Sequence, residues 1–258
     1  MPDKVFITGA ASGIGRATAR LFSSRGWRVG LCDRDAAALA VLEEELGSAS
    51  AQAFPCDVRD AAGLQAALAA FCGGSGGRLD LLVNNAGVLR IGPFEAMPPA
   101  DHRELIEVNA RGVVEALLAA FPMLQRARGR VVNLGSASAE YGTPDFATYS
   151  ASKMFVRGLS EALDIEWRRH GIRVACVMPA FVATPMIADR RSRSMERLGV
   201  RLTPEDVAQI VWRAARGRRL MWHVGGGYRL LRVLAKVLPG TLKRAMMRRI
   251  SGYPGGPQ

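Results

Sequence analysis

The chain has 258 residues, of which 49% are hydrophobic and 22% charged, and its formal net charge is +12. This composition is typical of a folded domain with a full core, and it excludes a disordered or collagen-like chain. No apolar run is long enough to span a bilayer. Eleven Lys and Arg residues follow Asp206, with no acidic residue among them. The excess charge therefore belongs to the C-terminal segment and does not indicate a general nucleic-acid-binding surface.

The cysteines show neither C-x-x-C spacing nor a nearby histidine pattern; they are Cys32, Cys56, Cys72 and Cys176. We interpret them as reduced thiols, with no disulfide and no zinc or other metal site. The first strand pattern begins at Lys4, which leaves no room for a signal peptide. The sequence therefore predicts a cytoplasmic protein.

The N-terminal segment has the pattern of a strand, a glycine turn and a helix. Val5-Phe-Ile7 is a short apolar run that leads into Thr8-Gly-Ala-Ala-Ser-Gly-Ile-Gly15, and a helical apolar face follows from Ala17. The three glycines of the turn allow the backbone to bend sharply and to approach a pyrophosphate, whose charge is stabilised at the helix N-terminus. The turn therefore predicts a dinucleotide site.

A second strand, Arg28–Asp33, ends in a carboxylate about 20 residues after the glycine turn. Such a carboxylate binds both ribose hydroxyls and repels a 2′-phosphate, which favours NAD. Arg34 allows the opposite preference, because a guanidinium pairs with the 2′-phosphate of NADP. Either cofactor preference is compatible with a simpler structural role, in which a residue at the end of this strand is the N-cap of the helix predicted at Ala36–Leu46.

Strands and helices alternate along the rest of the chain. Further strands are predicted at Ala51–Phe54, Leu79–Val83, Arg130–Leu134 and Arg173–Val177, and further helices at Asp60–Phe71, Asp101–Gln125 and Tyr149–His170. This alternation predicts an α/β fold of the Rossmann type, a doubly wound parallel β-sheet with helices on both faces, as a single domain over residues 1–258. Ligands bind at the carboxyl ends of such strands, where Asp33, Asp57 and Asn85 fall.

Tyr149 and Lys153 are four residues apart on a predicted helix and therefore share one face. An ammonium group beside a phenol favours the phenolate, which would lower the pKa of Tyr149 toward the range of a general acid or base. Apolar residues recur on the same helix at steps of three and four: Met154, Phe155, Leu159, Leu163 and Trp167. Alone, the pair also fits chance placement on a solvated face.

Together, these motifs resemble the short-chain dehydrogenase/reductase family from Val5 to Thr184. The matching motifs are Thr8–Gly15 for the cofactor turn, Cys56–Val58 for the adenine contact, Asn84–Gly87 after the fourth strand, Asn109 in its helix, Ser136, the pair Tyr149 and Lys153, and Pro179–Thr184 over the nicotinamide. The family usually has Pro-Gly where this chain has Pro179-Ala180, and Ser-Ser where it has Gly135-Ser136. Neither departure removes a reacting group.

The resemblance implies an NAD(P)-dependent oxidoreductase that interconverts a secondary alcohol and a ketone. It implies the catalytic residues Asn109, Ser136, Tyr149 and Lys153, and the cofactor-binding residues Gly9, Ser12, Gly13, Ile14, Gly15, Asp33, Arg34, Asp57, Val58, Asn85, Ala86, Gly87, Tyr149, Lys153, Pro179, Val182 and Thr184. The alternative is a nucleotide-sensing or scaffold protein that has kept the fold and lost turnover.

Each catalytic residue has a role by resemblance. Tyr149 exchanges a proton with the substrate oxygen, and Ser136 hydrogen-bonds the same oxygen. Lys153 lowers the pKa of the tyrosine and binds the nicotinamide ribose, and Asn109 holds a water for proton relay. The structural alternatives are an amide that bonds the backbone for Asn109 and a turn hydroxyl for Ser136.

Substrate specificity is expected from a lid at residues 184–202 and from the C-terminus. Met186 and Ile187 predict an apolar underside for the lid, and a cationic run follows at Arg190–Ser194. Candidate pocket walls are Phe94, Met97, Tyr141, Phe146, Phe181 and Met186. They favour a bulky apolar alcohol or ketone, such as a steroid, retinoid-like or fatty-acyl compound, although such residues also serve as ordinary packing.

Residues 218–258 form a basic extension with two amphipathic helical patterns, one over Tyr228–Leu238 and one carrying Leu242, Met246, Met247 and Ile250. This pair could contact an anionic membrane surface. Alternatively, its apolar face packs on the domain or on a second subunit and its arginines are solvated. By resemblance, the protein is expected to be a homodimer or homotetramer that pairs through the helices carrying Asn109 and Tyr149.

Overall fold

The computed structural model describes residues 3–73, 76–188, 192–225 and 239–253, except for the side chain of Leu198. In these residues one parallel sheet is formed by β1 (Lys4–Thr8), β2 (Arg28–Asp33), β3 (Ala51–Pro55), β4 (Leu81–Asn84), β5 (Arg130–Leu134), β6 (Arg173–Pro179) and β7 (Met221–Val224). The strand order is β3-β2-β1-β4-β5-β6-β7. Strands β1 to β3 extend the sheet in one direction from its centre, and β4 to β7 extend it in the other direction. The predicted doubly wound sheet is therefore confirmed.

Helices cover both faces of the sheet. They are α1 (Gly13–Ser24), α2 (Ala36–Leu46), α3 (Ala61–Gly73), α4 (Pro99–Ile106), α5 (Gly112–Ala127), α6 (Ala147–Glu166), α7 (Pro185–Ala188), α8 (Arg193–Leu198), α9 (Pro204–Arg216) and α10 (Gly240–Ser251). Alternate strand residues point to opposite faces: Val5 and Ile7 join a core with α1, α2 and α9, whereas Phe6 joins one with α3, α5 and α6. Both faces are therefore buried, which is why the strands are continuous apolar runs.

The long helix predicted over Asp101–Gln125 is interrupted. A π-helical turn, Glu107–Arg111, separates α4 from α5 and places Asn109 inside the protein with no exposed surface. A π-turn contains one more residue per turn than an α-helix and is frequent at functional sites. The apolar period could not reveal it, because the helical pattern continues on both sides.

Helix α6 buries only part of its predicted apolar face. Leu159 and Leu163 pack against the core, and Trp167, just after the helix, is buried in it, whereas Met154 and Phe155 are exposed. The remaining buried residues of the helix are mostly small or polar. The apolar recurrence therefore correctly predicts the helix and part of the face that packs on this chain's own core.

The C-terminal part is only partly described. The pattern at Tyr228–Leu238 and lid residues 189–191 lie outside the described residues. The second amphipathic pattern forms α10, and β7 is a strand that the sequence pattern did not predict. Among the described helices, none is long and apolar enough to cross a membrane.

Candidate active site

The carboxyl ends of the strands open into a cavity of about 710 Å³. All predicted cofactor residues except Gly15 line it: Gly9, Ser12, Gly13, Ile14, Asp33, Arg34, Asp57, Val58, Asn85, Ala86, Gly87, Tyr149, Lys153, Pro179, Val182 and Thr184. Ser136 also lines the cavity, whereas Asn109 lies behind its wall. The topology therefore brings residues from seven separate segments of the chain to one place.

The glycine turn is held by side chains from the neighbouring strand ends. Asn85 donates from Nδ2 to the backbone oxygens of Thr8 and Gly9, at 3.0 and 2.9 Å, and the Thr8 hydroxyl accepts the Asn85 backbone N–H at 3.1 Å. A Cβ at Gly15 would lie 1.9 Å from the Gly9 oxygen. Gly15 therefore permits the close packing of the turn instead of lining the cavity.

The Asp33 carboxylate is fixed in place by two backbone N–H groups. Oδ2 accepts from Ala11 at 3.0 Å, and Oδ1 accepts from Asp35 at 3.1 Å. The helix-capping alternative does not apply to Asp33, because Asp35 is the N-cap of α2 and accepts from Ala38 at 3.0 Å. Asp33 is thus a rigid acceptor at the cavity wall, as binding of ribose hydroxyls requires.

Asp57 is engaged by a guanidinium. Arg59 donates to its two oxygens at 2.6 and 3.0 Å, and these hydrogen bonds hold the pKa of Asp57 below its usual value. Next to it, Val58 packs tightly on α5, where a Cβ at Gly112 would lie 2.7 Å from it. The segment after β3 is therefore firmly placed beside the cavity.

Ser136 and Tyr149 meet at the centre of the cavity wall. The Ser136 hydroxyl accepts from the Ser138 backbone N–H at 3.2 Å and lies 3.0 Å from the Ser138 hydroxyl. Burial raises the pKa of Tyr149, and a hydrogen bond with Ser136 offsets part of this rise. A serine and a tyrosine hydroxyl that share a hydrogen bond can hold one substrate oxygen between them.

The electrostatic effect expected of Lys153 is not seen, because the pKa of Tyr149 is raised. Lys153 Nζ donates to the Leu134 backbone oxygen at 2.9 Å and lies 5.8 Å from the Tyr149 ring centroid. Burial also lowers the pKa of Lys153 to about 8. Burial raises the pKa of the phenol and lowers that of the amine, because it disfavours the charged form of each.

Asn109 forms hydrogen bonds with the backbone, as the structural alternative for this residue predicted. Its Oδ1 accepts from the Val88 N–H at 2.8 Å, and its Nδ2 donates to the Val88 oxygen at 2.9 Å and to Ser152 Oγ at 3.2 Å. Ser152 donates in turn to the Tyr149 backbone oxygen at 2.7 Å. Asn109 thus links the segment after β4 to the helix of Tyr149, and its role in proton relay stays a prediction.

Four of the predicted pocket walls line the cavity: Tyr141, Phe146, Phe181 and Met186. The assignment of Phe94 and Met97 to the pocket is wrong, because neither lines it. Phe94 is 61% exposed and stacks on His102 of α4, with ring centroids 4.6 Å apart. Lining residues that the sequence did not indicate include Leu89, Ser138, Glu140 and Arg201.

Helix α10 closes the cavity from the C-terminal side. Met246, Met247 and Ile250 line the cavity, and Met247 is buried. Arg193 of α8 donates to the Gly252 oxygen at 2.6 Å, and Tyr253 donates to Asp145 at 2.5 Å. The packing alternative is confirmed for Met246, Met247 and Ile250, which face the cavity, whereas Leu242 of the same pattern is 52% exposed. The recurrence of apolar residues signalled this helix but not its contact with the cavity.

Met186 and Ile187 also line the cavity, as predicted for the apolar side of this segment, and the function of residues 184–202 as a lid stays a prediction. The glycine turn, the fixed Asp33 acceptor and the buried Lys153 amine are arranged along one cavity, as the parts of a nicotinamide dinucleotide require. The residues present therefore fit such a cofactor.

Comparison with known proteins agrees with this geometry. The family model for short chain dehydrogenases matches residues 3–195. The chain is 37% identical over 218 residues to oxidoreductase UcpA of Salmonella typhimurium, covering 83% of this chain and 80% of that protein. It is 40% identical over 190 residues to a galactitol 2-dehydrogenase (L-tagatose-forming) of Cereibacter sphaeroides, covering 72% and 74%.

A solved structure of 3-ketoacyl-(acyl-carrier-protein) reductase from Brucella melitensis, complexed with NADH, is similar with a TM-score of 0.80 and 29% identity, covering 88% of this chain and 98% of that one. Other similar solved structures contain NAD or NADPH.

Proposed function

Because the chain belongs to the short-chain dehydrogenase/reductase family of NAD(P)-dependent oxidoreductases, we propose that it interconverts a secondary alcohol and a ketone. The observation that carries the proposal is that Ser136 and Tyr149 line the same cavity as the residues that fit a nicotinamide dinucleotide. A protein that only senses nucleotides needs neither hydroxyl at this place.

The nicotinamide, when bound, supplies hydride chemistry at its C4 atom. The residues of this chain hold the substrate and move the proton. Tyr149 gives a proton to the ketone oxygen, or takes one from the alcohol, and Ser136 stabilises the charge on that oxygen by a hydrogen bond. Lys153 would hold the nicotinamide ribose, and its buried amine would assist the return of the proton. Asn109 positions the helix of Tyr149 through Ser152.

The substrate is best described as an apolar chain that carries the reacting group. Support comes from the apolar wall of the cavity, formed by Leu89, Phe146, Phe181, Met186, Ile187, Met246, Met247 and Ile250. Among apolar compounds we favour a fatty-acyl ketone, because a relative named above reduces 3-ketoacyl groups. Nothing in the cavity or the comparisons favours a steroid or a retinoid.

A sugar alcohol is the second candidate. Ser138 and Glu140 form a polar part of the wall, and a galactitol dehydrogenase is among the relatives. A panel containing 3-ketoacyl thioesters and polyols separates the two candidates. Oxidation of polyols without reduction of any ketoacyl compound would contradict our first choice.

Tyr149→Phe tests catalysis. The variant should bind NADH as the wild type does and lose turnover by roughly 10²- to 10⁴-fold, because it lacks the proton that the reaction exchanges. A wild-type protein that binds NADH but shows no Tyr149-dependent turnover of any compound in the panel would favour the sensor function instead.

For the cofactor, we propose that NAD is preferred through Asp33. Its fixed carboxylate would accept hydrogen bonds from the ribose hydroxyls and repel a 2′-phosphate. Titration with NADH and NADPH, followed by fluorescence, measures the two affinities. Asp33→Ala should narrow the difference between them. Tighter wild-type binding of NADPH would refute this choice and would make Arg34 the selecting residue.

We further propose a homo-oligomer that pairs through α5 and α6. Leu118 on α5 is 64% exposed, and Phe155 and Ile165 on α6 are 45% and 75% exposed. Apolar side chains in such number on two long helices are typical of an interface between subunits. Ile165→Glu should reduce the mass measured by sedimentation, and an unchanged mass would place the interface elsewhere.

Peripheral contact with an anionic membrane stays a prediction for residues 218–258. The outer side of α10 carries Lys243, Arg244, Arg248 and Arg249, which is the charge that such a contact requires. Co-sedimentation with vesicles containing anionic lipid should be lost at high salt. No co-sedimentation at low salt would leave a cytoplasmic protein without this contact.

A further inference from the structure

Asp33 and Arg34 favour opposite cofactors, and the structure contains a third charged residue that acts on this choice. Arg34 lines the cavity beside Asp33. Its guanidinium lies 3.8 Å from the carboxylate of Glu104 on α4, from Nη1 to Oε1. Arg34 is 59% exposed, whereas Glu104 is only 20% exposed. The exposed member of the pair is therefore the arginine, and the more buried member is the acid.

Glu104 is fixed by a second arginine. Arg90, in the segment after β4, donates to the other carboxylate oxygen of Glu104. It also donates from Nε to Asp101 at 3.2 Å and from Nη1 to the Leu89 backbone oxygen at 3.0 Å. Leu89 is buried. The Glu104 carboxylate is thus anchored to the protein core through Arg90 and presents one oxygen to Arg34.

The other acids near this end of the cavity have partners of their own. Asp57 is bound by Arg59 through two hydrogen bonds, and both Asp33 oxygens accept backbone N–H groups. The charge of Arg34 also acts on Asp57, but among the described residues Arg34 forms an ion pair within 4 Å only with Glu104. A 2′-phosphate at this end of the cavity would have to compete with Glu104 for Arg34, while Asp33 and Glu104 both repel it.

We propose that Glu104 is a specificity-determining residue that keeps Arg34 from binding the 2′-phosphate of NADP. Glu104 acts as a positioning residue, since it does not line the cavity itself. The inference depends on the proposed dehydrogenase function only in that a nicotinamide dinucleotide binds the cavity.

Glu104→Gln removes the charge and keeps the size and the hydrogen-bond acceptor. We expect the dissociation constant of NADPH to fall by about three- to tenfold, the range of one exposed ion pair exchanged for a guanidinium–phosphate contact. NADH affinity should stay within about twofold of wild type. Competition by adenosine 2′,5′-bisphosphate should improve in the same proportion, and competition by 5′-AMP should not change.

Two controls separate positioning from general damage. Asp101→Asn removes the second carboxylate that binds Arg90 but leaves the ion pair of Arg34 and Glu104. The ratio of NADPH affinity to NADH affinity should therefore not change. The double variant Arg34→Gln/Glu104→Gln should not show the increased NADPH affinity, because it lacks the guanidinium that Glu104→Gln alone would release.

Three results would overturn the inference. These are an unchanged affinity ratio in Glu104→Gln, a gain that persists without Arg34, and a wild type that already binds NADPH more tightly than NADH. Failure of the wild type to bind either cofactor would instead contradict the proposed function.

Discussion

Replacing Lys153 with methionine is expected to abolish turnover and, at the same time, to stabilise the cofactor-free protein. Burial lowers the pKa of Lys153 from 10.5 to about 8, which is equivalent to about 3 kcal/mol of destabilisation by the charged form at pH 7. Methionine fills the same space without a charge. It leaves the Leu134 oxygen without the donor at 2.9 Å, at a cost of about 1 kcal/mol. The net gain at pH 7 is about 2 kcal/mol.

The gain depends on pH in a definite direction. Below pH 8 the lysine is protonated in both the folded and the unfolded protein, and the folded protein carries the full cost of the buried charge. Between the folded pKa of about 8 and the unfolded value of 10.5, the folded protein binds fewer protons, so wild-type stability from this group rises with pH. The advantage of the variant should therefore shrink to near zero at about pH 10.

Urea unfolding of both proteins without cofactor, at pH 7 and pH 10 and at one protein concentration, measures this difference. Lys243→Met, on the basic side of α10, is the matched control, and its effect should be small and independent of pH. A Lys153→Met variant that is equal to or less stable than wild type at pH 7, with an unchanged urea dependence, would refute the reasoning that the buried charge is costly.

Three further variants test the placement of other residues. Asn109→Ala should lower the free energy of unfolding by about 2 kcal/mol, because both backbone groups of Val88 lose their partner; a change near zero in urea unfolding would contradict this. Gly15→Ala should abolish NADH binding in fluorescence titrations, since its Cβ would lie 1.9 Å from a backbone oxygen of the turn, whereas Gly240→Ala has nothing within 4 Å and should bind normally. Ile250→Ala should raise the KM of the substrate without weakening NADH binding. A variant in which the KM rises and NADH binding weakens in parallel would mean that α10 does not border the substrate.

The sequence predicted the parts of the fold that depend on local pattern. Strands β2 and β5 and helix α2 have the predicted bounds, because their apolar runs end at a charge or a turn residue that also ends the element. Most cofactor residues were named from the family resemblance, but Asp33, Asp57 and Asn85 were also predicted from sheet topology, which brings the carboxyl ends of parallel strands to one edge. For such residues, position along the strand fixes position in space.

The rest depends on tertiary contacts that a periodic pattern does not contain. Phe94 was assigned to the pocket by its apolar character, but it stacks on His102 instead. The raised pKa of Tyr149 depends on its burial, which the spacing to Lys153 cannot show. In the same way, the side of α6 that packs on the sheet carries serines. Apolar periodicity identified the helix but could not say which of its apolar residues pack on the core, as Leu159 and Leu163 do, and which are exposed, as Phe155 is.

The π-turn at Glu107–Arg111 has a consequence for how the chain tolerates insertions and deletions. Within an α-helix, loss of one residue rotates everything after it by about 100°. Here, loss of one residue from the turn would let Pro99–Ala127 run as one regular helix, with better backbone hydrogen bonding. The Asn109 amide would then leave Val88. The turn therefore exchanges regular backbone hydrogen bonding for the position of the Asn109 amide beside Val88.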